Sequence, residues 1–227
     1  MKVTVIIPAY IPTPKHGLLL QRAIKSLETQ SYKDFDVVCV LNGCYTDYEE
    51  IKSSIKTDLS IEYISISGKA SGAIARNLGV RKSKGELLAW LDADDQYHPN
   101  KLEKQIDFFK NNQDYDFVGT LAKDYYPDGN MLDSCHKAEL CKTHEQIKNL
   151  IHQENIMCHG SVMFKKSSFE LLGGYNEKNK PGSIWLEYNA PMWEDWDLWI
   201  RAIRLGMKVY NIPERLYYWS IGTSVER

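Results

Sequence analysis

Strand-like and helix-like segments alternate through the first half of the chain, and this alternation restricts the fold more than any other feature. "KVTVIIP", which is apolar and β-branched, "FDVVCVL", "IEYISI" and "ELLAWLD" are short and largely apolar, as strands in a buried parallel sheet are. Between them lies "LLLQRAIKSLETQ", with Leu19, Ala23, Ile24 and Leu27 at the spacing of one helix face. "TDYEEIKSSIK" is a short helix capped by Thr46 or Asp47, and "SGAIARNLGVRKS" is a helix opening at Ser71. "NKLEKQIDFFKNN" forms another helix after the fourth strand. Repeated βαβ units of this length require a mostly parallel sheet flanked by helices, an α/β architecture.

The second half is less regular. "DFVGTLA" reads as a strand followed by a turn at "PDGN". "THEQIKNLIHQ" carries a capping box from Thr143 to Gln146. "GSVMFKKSSFELLGGY" reads as strand, short helix and glycine C-cap, and residues 175–192 as a loop. "EDWDLWIRAIRLG" is a helix stopped by Gly206. The 227 residues suit one domain, and no repeat or linker divides them.

Open parallel sheets bind ligands at the carboxyl ends of their strands. Those ends fall after Ile7, Leu41, Ile66 and Leu91, where the chain reads "PAY", "NGCYTD", "SGKASG" and "DADD". Asp92 and Asp94 flank the small Ala93, and carboxylate oxygens suit Mg2+ or Mn2+. A solvated turn with an aspartate helix cap explains the same residues, and Asp95 fits either metal support or that cap. The spacing excludes an EF-hand. Lys69, Arg76 and Asn77 in "KASGAIARNLG" suit a phosphate near a helix N-terminus, or an ordinary solvated helix face. Neither a P-loop nor a GxGxxG fingerprint is present. Glu194, Asp195 and Asp197 open a helix among Trp193, Trp196 and Trp199. They provide either a general base above an aromatic sugar surface or acids that complement the helix dipole. The six histidines form no zinc-protease pair, and His159 reads as structural.

A net charge of -2 disfavours nucleic acid as a partner. No apolar run approaches the roughly 20 residues of a spanning helix, and "MKVTVIIPAY" reads as a first strand rather than a signal peptide. The five cysteines (39, 44, 135, 141 and 158) lack CxxC spacing and read as free thiols of a reducing cytoplasm.

Taken in order, "VTVIIPAY", "SLETQSYKDFDVVCVLNGCYTD", "SGAIARNLGVRKSKGELLAWLDADD", "SVMFKKSSFELLGGYNE" and "EDWDLWIRAIRLG" resemble glycosyltransferase family 2 from about residue 3 to 218. The resemblance implies the GT-A fold, a single merged domain with a Rossmann-like nucleotide-sugar half (1–98) and an acceptor half (99–227). It implies that Pro8, Ala9 and Tyr10 line the nucleotide and that Asn42 stands where an acid reads the base. It places Arg76 near base and phosphates, and Asp92-Ala93-Asp94 as the DxD motif, with Asp94 and Asp92 on a divalent Mn2+ or Mg2+. Glu194-Asp195 match the "ED" motif, with Asp195 the catalytic base and Trp193 beside the substrate.

The implied activity is inverting transfer from a nucleotide-diphosphate sugar, a UDP-sugar favoured, to a hydroxyl of a glycan or lipid-linked saccharide. It would take place in the cytoplasm, up to the inner face of the cell membrane, with at most peripheral membrane association. A sugar-phosphate nucleotidyltransferase and a non-catalytic nucleotide- or glycan-binding protein are the alternatives. The chain departs from the family pattern in "PAYIPTPKHG", which adds residues after the first strand, and in "LNGCYTD", which puts Asn42 in place of an acid. No QxxRW motif is present, unlike processive polymerases, and the tail "LYYWSIGTSVER" lacks the histidine often found there. Acceptor specificity is expected in residues 123–192.

Overall fold

A computed structural model describes residues 1–134, 141–177 and 194–223. The strands are β1 (Val3–Tyr10), β2 (Phe35–Asn42), β3 (Ile61–Ile66), β4 (Leu87–Trp90), β5 (Gln96–Tyr97), β6 (Tyr115–Tyr125), β7 (Met131–Asp133), β8 (Met163–Lys165) and β9 (Lys208–Ser220). The helices are α1 (Pro14–Glu28), α2 (Tyr48–Ser54), α3 (Gly72–Lys82), α4 (Lys101–Asn111), α5 (His144–Leu150), α6 (Lys166–Leu171) and α7 (Glu194–Arg204).

One sheet carries them in the order β3-β2-β1-β4-β8-β6-β9-β5, with β7 paired to β6. The strands β3, β2, β1 and β4 are parallel, in register Val5↔Val37 and Val5↔Ala89. The chain thus runs outward from β1 to β3 on one side and places β4 on the other. Open α/β sheets place their ligand crevices at such a reversal of strand order, which here falls between β1 and β4. On the other flank β8 is antiparallel to β4 and β6, while β9 is parallel to β6. The acidic segment therefore leaves β4 where the parallel part of the sheet meets the mixed part.

Alternating strand residues fill two cores. Val5, Ile7, Leu41, Ala89 and Leu91 pack with Leu20, Ile24, Leu27, Leu102 and Phe109 on one face. Ile6, Val38, Val40, Leu88 and Trp90 pack with Val80, Ile147, Leu198 and Ile203 on the other. Helices cover both faces, so the strands read as continuous apolar runs. Each of the Val, Leu, Ile and Phe side chains contributes about 1.5–3 kcal/mol on burial. Helix α3 approaches β1 closely because position 79 is glycine: a Cβ there would stand 2.4 Å from Ile6 Cγ2.

Several expectations are met locally. Asp47 caps α2 by accepting from the Glu49 amide, and Ser71 caps α3 by accepting from Ile74. Thr143 and Gln146 form both halves of the capping box. Gly173, Gly174 and Gly206 adopt positive φ after α6 and α7. Others need correction. Strand β1 continues through Ala9 and Tyr10, which the sequence suggests as loop. Of the supposed extra loop residues, 14–17 begin α1, since Pro14 at its first turn needs no amide partner, while residues 11–13 remain a connection. Asp95 does not cap α4, which starts after Asn100. Strands β5, β7 and β9 have no counterpart in the sequence reading. Of the expected loop at 175–192, only Tyr175–Glu177 are described.

Candidate active site

Four strand ends bring the expected residues to one edge of the sheet. At the end of β1, Ala9 is buried while Pro8 and Tyr10 are partly exposed. The Lys69 ammonium lies 5.2 Å from the centroid of the Tyr10 ring. The same ring lies over Gly43, where any Cβ would stand 2.2 Å from it and φ is +53°. Asn42, the last residue of β2, is buried. Its amide donates to the Ala9 carbonyl at 3.4 Å and accepts from the Ala70 amide at 3.3 Å. Asn42 thereby fastens the loop before α3 to the end of β1.

The acidic segment divides its three carboxylates among different partners. Asp92 accepts from Arg76 Nη2 at 2.6 Å, and Arg76 Nη1 donates to Glu194 Oε1 at 2.5 Å. Part of the positive charge that the cluster calls for is thus supplied within the chain. Burial works against charge on the Arg76 guanidinium, but Asp92 and Glu194 outweigh it and hold the group firmly protonated. Asp94 accepts from Thr223 Oγ1 at 2.7 Å. Burial and then the neighbouring Asp92 push its carboxyl up from the ordinary aspartate range. Asp95 is buried and accepts from Tyr217 Oη at 2.6 Å and from the Ser220 amide at 2.7 Å. Its role is therefore to anchor β9 against the acidic turn. Ala93 is partly buried between the two aspartates.

The acids that open α7 are likewise separated by their partners. Glu194 faces Arg76. Asp195 is buried and accepts from Asn155 Nδ2 at 2.8 Å. Burial raises its pKa, and the Asn155 hydrogen bond opposes that rise. Asp197 is fully buried and pairs with Arg201, whose guanidinium also donates to the Leu172 and Gly174 carbonyls. Asp197 is thus structural, and Trp193 lies outside the described residues. Asn77 grips the same loop through reciprocal bonds to the Tyr175 main chain, both at 2.9 Å. His159 bonds Tyr175 Oη at 2.7 Å and sits edge-on to Trp90 and Trp199.

Asp92 and Asp94 are hard oxygen donors, and the burial and neighbouring Asp92 charge that raise Asp94 are penalties a divalent cation would offset. Among the described residues no third His, Cys, Asp or Glu joins them as a cluster. Mg2+ bound through one or two carboxylates, with phosphate oxygens completing its shell, needs no more. The donor set therefore fits such an ion. Sequence reasoning missed Arg22, Asn155, Tyr217, Ser220 and Thr223, all of which reach the acids from distant elements. No motif spacing marks them.

This sheet, with its acidic turn after β4 and acidic helix start facing each other across Arg76, is the framework of a GT-A glycosyltransferase. The family model described as glycosyl transferase family 2 matches residues 4–173, and the chain belongs to that family. A glycosyltransferase of Methanocaldococcus jannaschii, described as uncharacterized, is 30% identical over 96% of this chain and 73% of its own length. The O-antigen biosynthesis glycosyltransferase WbnJ of Escherichia coli is 27% identical over 80% of this chain and 65% of its own. Staphylococcus aureus TarS residues 1–349, solved in complex with UDP-GlcNAc, superposes with a TM-score of 0.73 at 16% identity. That match covers 99% of this chain and 60% of TarS 1–349. Among the described residues no helix is long and apolar enough to cross a membrane.

Proposed function

We propose that the chain is an inverting, metal-dependent glycosyltransferase moving a sugar from a nucleotide-diphosphate donor, with UDP favoured, to a hydroxyl of a glycan or lipid-linked saccharide. The observation that carries this reading is the bridge from Asp92 through Arg76 to Glu194. It couples the acidic turn to the helix start that bears Asp195. The UDP-GlcNAc complex of the structurally similar TarS and the O-antigen role in the name of WbnJ support the donor and acceptor classes.

In this reading residues 1–98 hold the donor and 99–227 the acceptor. Pro8, Ala9 and Tyr10 line the nucleotide, Asn42 stands by the base, and Arg76 faces the phosphates. Asp94, with Asp92, would hold Mn2+ or Mg2+. When bound, such an ion supplies positive charge against the diphosphate as it leaves. Asp195 takes the proton from the acceptor hydroxyl, and its burial makes it a stronger base than a solvated aspartate. With the base on the face opposite the leaving group, attack is direct and the anomeric configuration inverts; the carboxylate geometry of inverting glycosidases rests on the same argument. The reaction belongs where nucleotide sugars are present, in the cytoplasm and, for a lipid-linked acceptor, at the inner membrane face.

A thermal-shift panel of nucleoside diphosphates with Mn2+ tests this. A ligand at about 100 times its Kd stabilises the fold by about 2.7 kcal/mol, so UDP is expected to raise Tm in the parent and in Asp195→Asn but not in Asp94→Ala. No shift with any nucleoside diphosphate would sink the reading. Pyrophosphate release from an NTP and a sugar phosphate would replace it with nucleotidyl transfer.

A further inference from the structure

Arg22 lies on α1, far in sequence from either acidic motif, yet its guanidinium reaches the turn after β4. Nη2 donates to the main-chain oxygen of Asp94 and to Ser220 Oγ, each at 2.7 Å. The guanidinium carbon stands 4.9 Å from the centroid of the Tyr125 ring at the end of β6. One side chain thus joins α1, the acidic turn, β6 and β9.

Its bond to Asp94 goes to the backbone, not to the carboxylate, and that determines what it can do. The peptide between Asp94 and Asp95 is planar. Its carbonyl is held by Arg22, and its amide donates to the Asp92 carbonyl at 3.1 Å. Both ends of this peptide are fixed, which restrains the last backbone torsion of Asp94 and with it the direction of the Cα–Cβ bond from which the carboxylate extends. Arg22 is also braced from behind, because Ser220 is itself held by Asp95 through its amide.

We propose that Arg22 is a positioning residue for the donor's diphosphate: it fixes the turn that aims the Asp94 carboxylate. The inference rests on the reading of Asp94 as the carboxylate on the metal and diphosphate. Arg22 does not touch the reacting atoms in this role. Its effect appears in how well Mn2+ improves nucleotide binding rather than in nucleotide binding alone.

The test measures UDP affinity by calorimetry on the full chain, with and without saturating Mn2+, alongside Tm. Arg22→Met keeps an apolar stem against Tyr125 and removes the donors; Arg22→Gln keeps a shorter polar group. Either variant is expected to lose tenfold or more in UDP affinity with Mn2+ and less than twofold without it. An equal loss in both conditions, or none in either, overturns the inference, as does failure of both variants to fold. Asp94→Asn separates the two levels of the argument. If it keeps Mn2+-assisted binding, the reading of the site fails. If it loses that binding while the Arg22 variants keep it, only the role of Arg22 fails.

Discussion

Arg76 on α3 and Glu194 at the start of α7 meet at 2.5 Å although 118 positions separate them in the chain. The same guanidinium holds Asp92. Breaking a buried ion pair by removing one partner costs about 3–5 kcal/mol. Here both carboxylates keep about a quarter of their side-chain surface exposed, so Arg76→Met is expected to cost about 2–3 kcal/mol. The double variant Arg76→Met/Glu194→Gln should recover part of this. Denaturant midpoints of the two proteins check it, and equal midpoints would refute the coupling.

Asn155 lowers the pKa of Asp195 against the opposing effect of burial. If Asp195 is the general base proposed above, it works deprotonated, and activity is expected to fall as pH drops through its pKa. Asn155→Ala removes the hydrogen bond that favours the carboxylate and must move the acid limb of kcat/KM to higher pH. A pH–rate profile of the variant with its acid limb unmoved or displaced downward would exclude Asp195 as the group being titrated.

Asp95 predicts a stability effect larger than the loss of a helix cap. Asp95→Leu strands the Tyr217 hydroxyl and the Ser220 amide, at about 1–3 kcal/mol for each unpaired group. Loss of a cap costs about 1 kcal/mol. Adding Tyr217→Phe should restore part of the Tm, because it removes one of the stranded donors.

Lys101 is fully buried, donates to Gln105 Oε1 at 2.8 Å and lies 3.9 Å from the Tyr97 ring centroid. Burial lowers its pKa well below the lysine range. The unfolded chain therefore binds a proton that the fold does not. This penalty is absent above about pH 10.4 and grows as pH falls, by about 1.4 kcal/mol per unit, until the folded pKa is reached. Stability of the parent should rise, relative to Lys101→Met, as pH climbs toward about 10.4. Parallel stability curves would show that Lys101 is charged in the fold.

The parallel half of the sheet was legible because each strand and helix announces itself locally. Apolar runs and the caps Ser71 and Asp47 all act within a few residues. The DxD and ED segments were legible as clusters, but the division of labour within them was not. Glu194, Asp195 and Asp197 look alike in sequence, and only Arg76, Asn155 and Arg201 distinguish them. Strand β9 escaped notice because Pro213, Glu214 and Arg215 interrupt its pattern where its register with β6 shifts. The sequence offers Asp95 only the local roles of metal support or a helix cap, because near neighbours are the simplest partners to infer, whereas its real partners lie more than 120 positions away.

The clasp between Asp95 and Ser220 spans 125 positions. At a synthesis rate of about 5–20 residues per second, the acidic turn leaves the ribosome roughly 6–25 seconds before the strand that secures it. Until then the parallel strands can pair, but Asp94 and Asp95 lack the Thr223, Tyr217 and Ser220 groups that hold them. The nascent protein thus carries an assembled parallel sheet with an unfinished acidic turn, which is secured only once Tyr217, Ser220 and Thr223 have emerged.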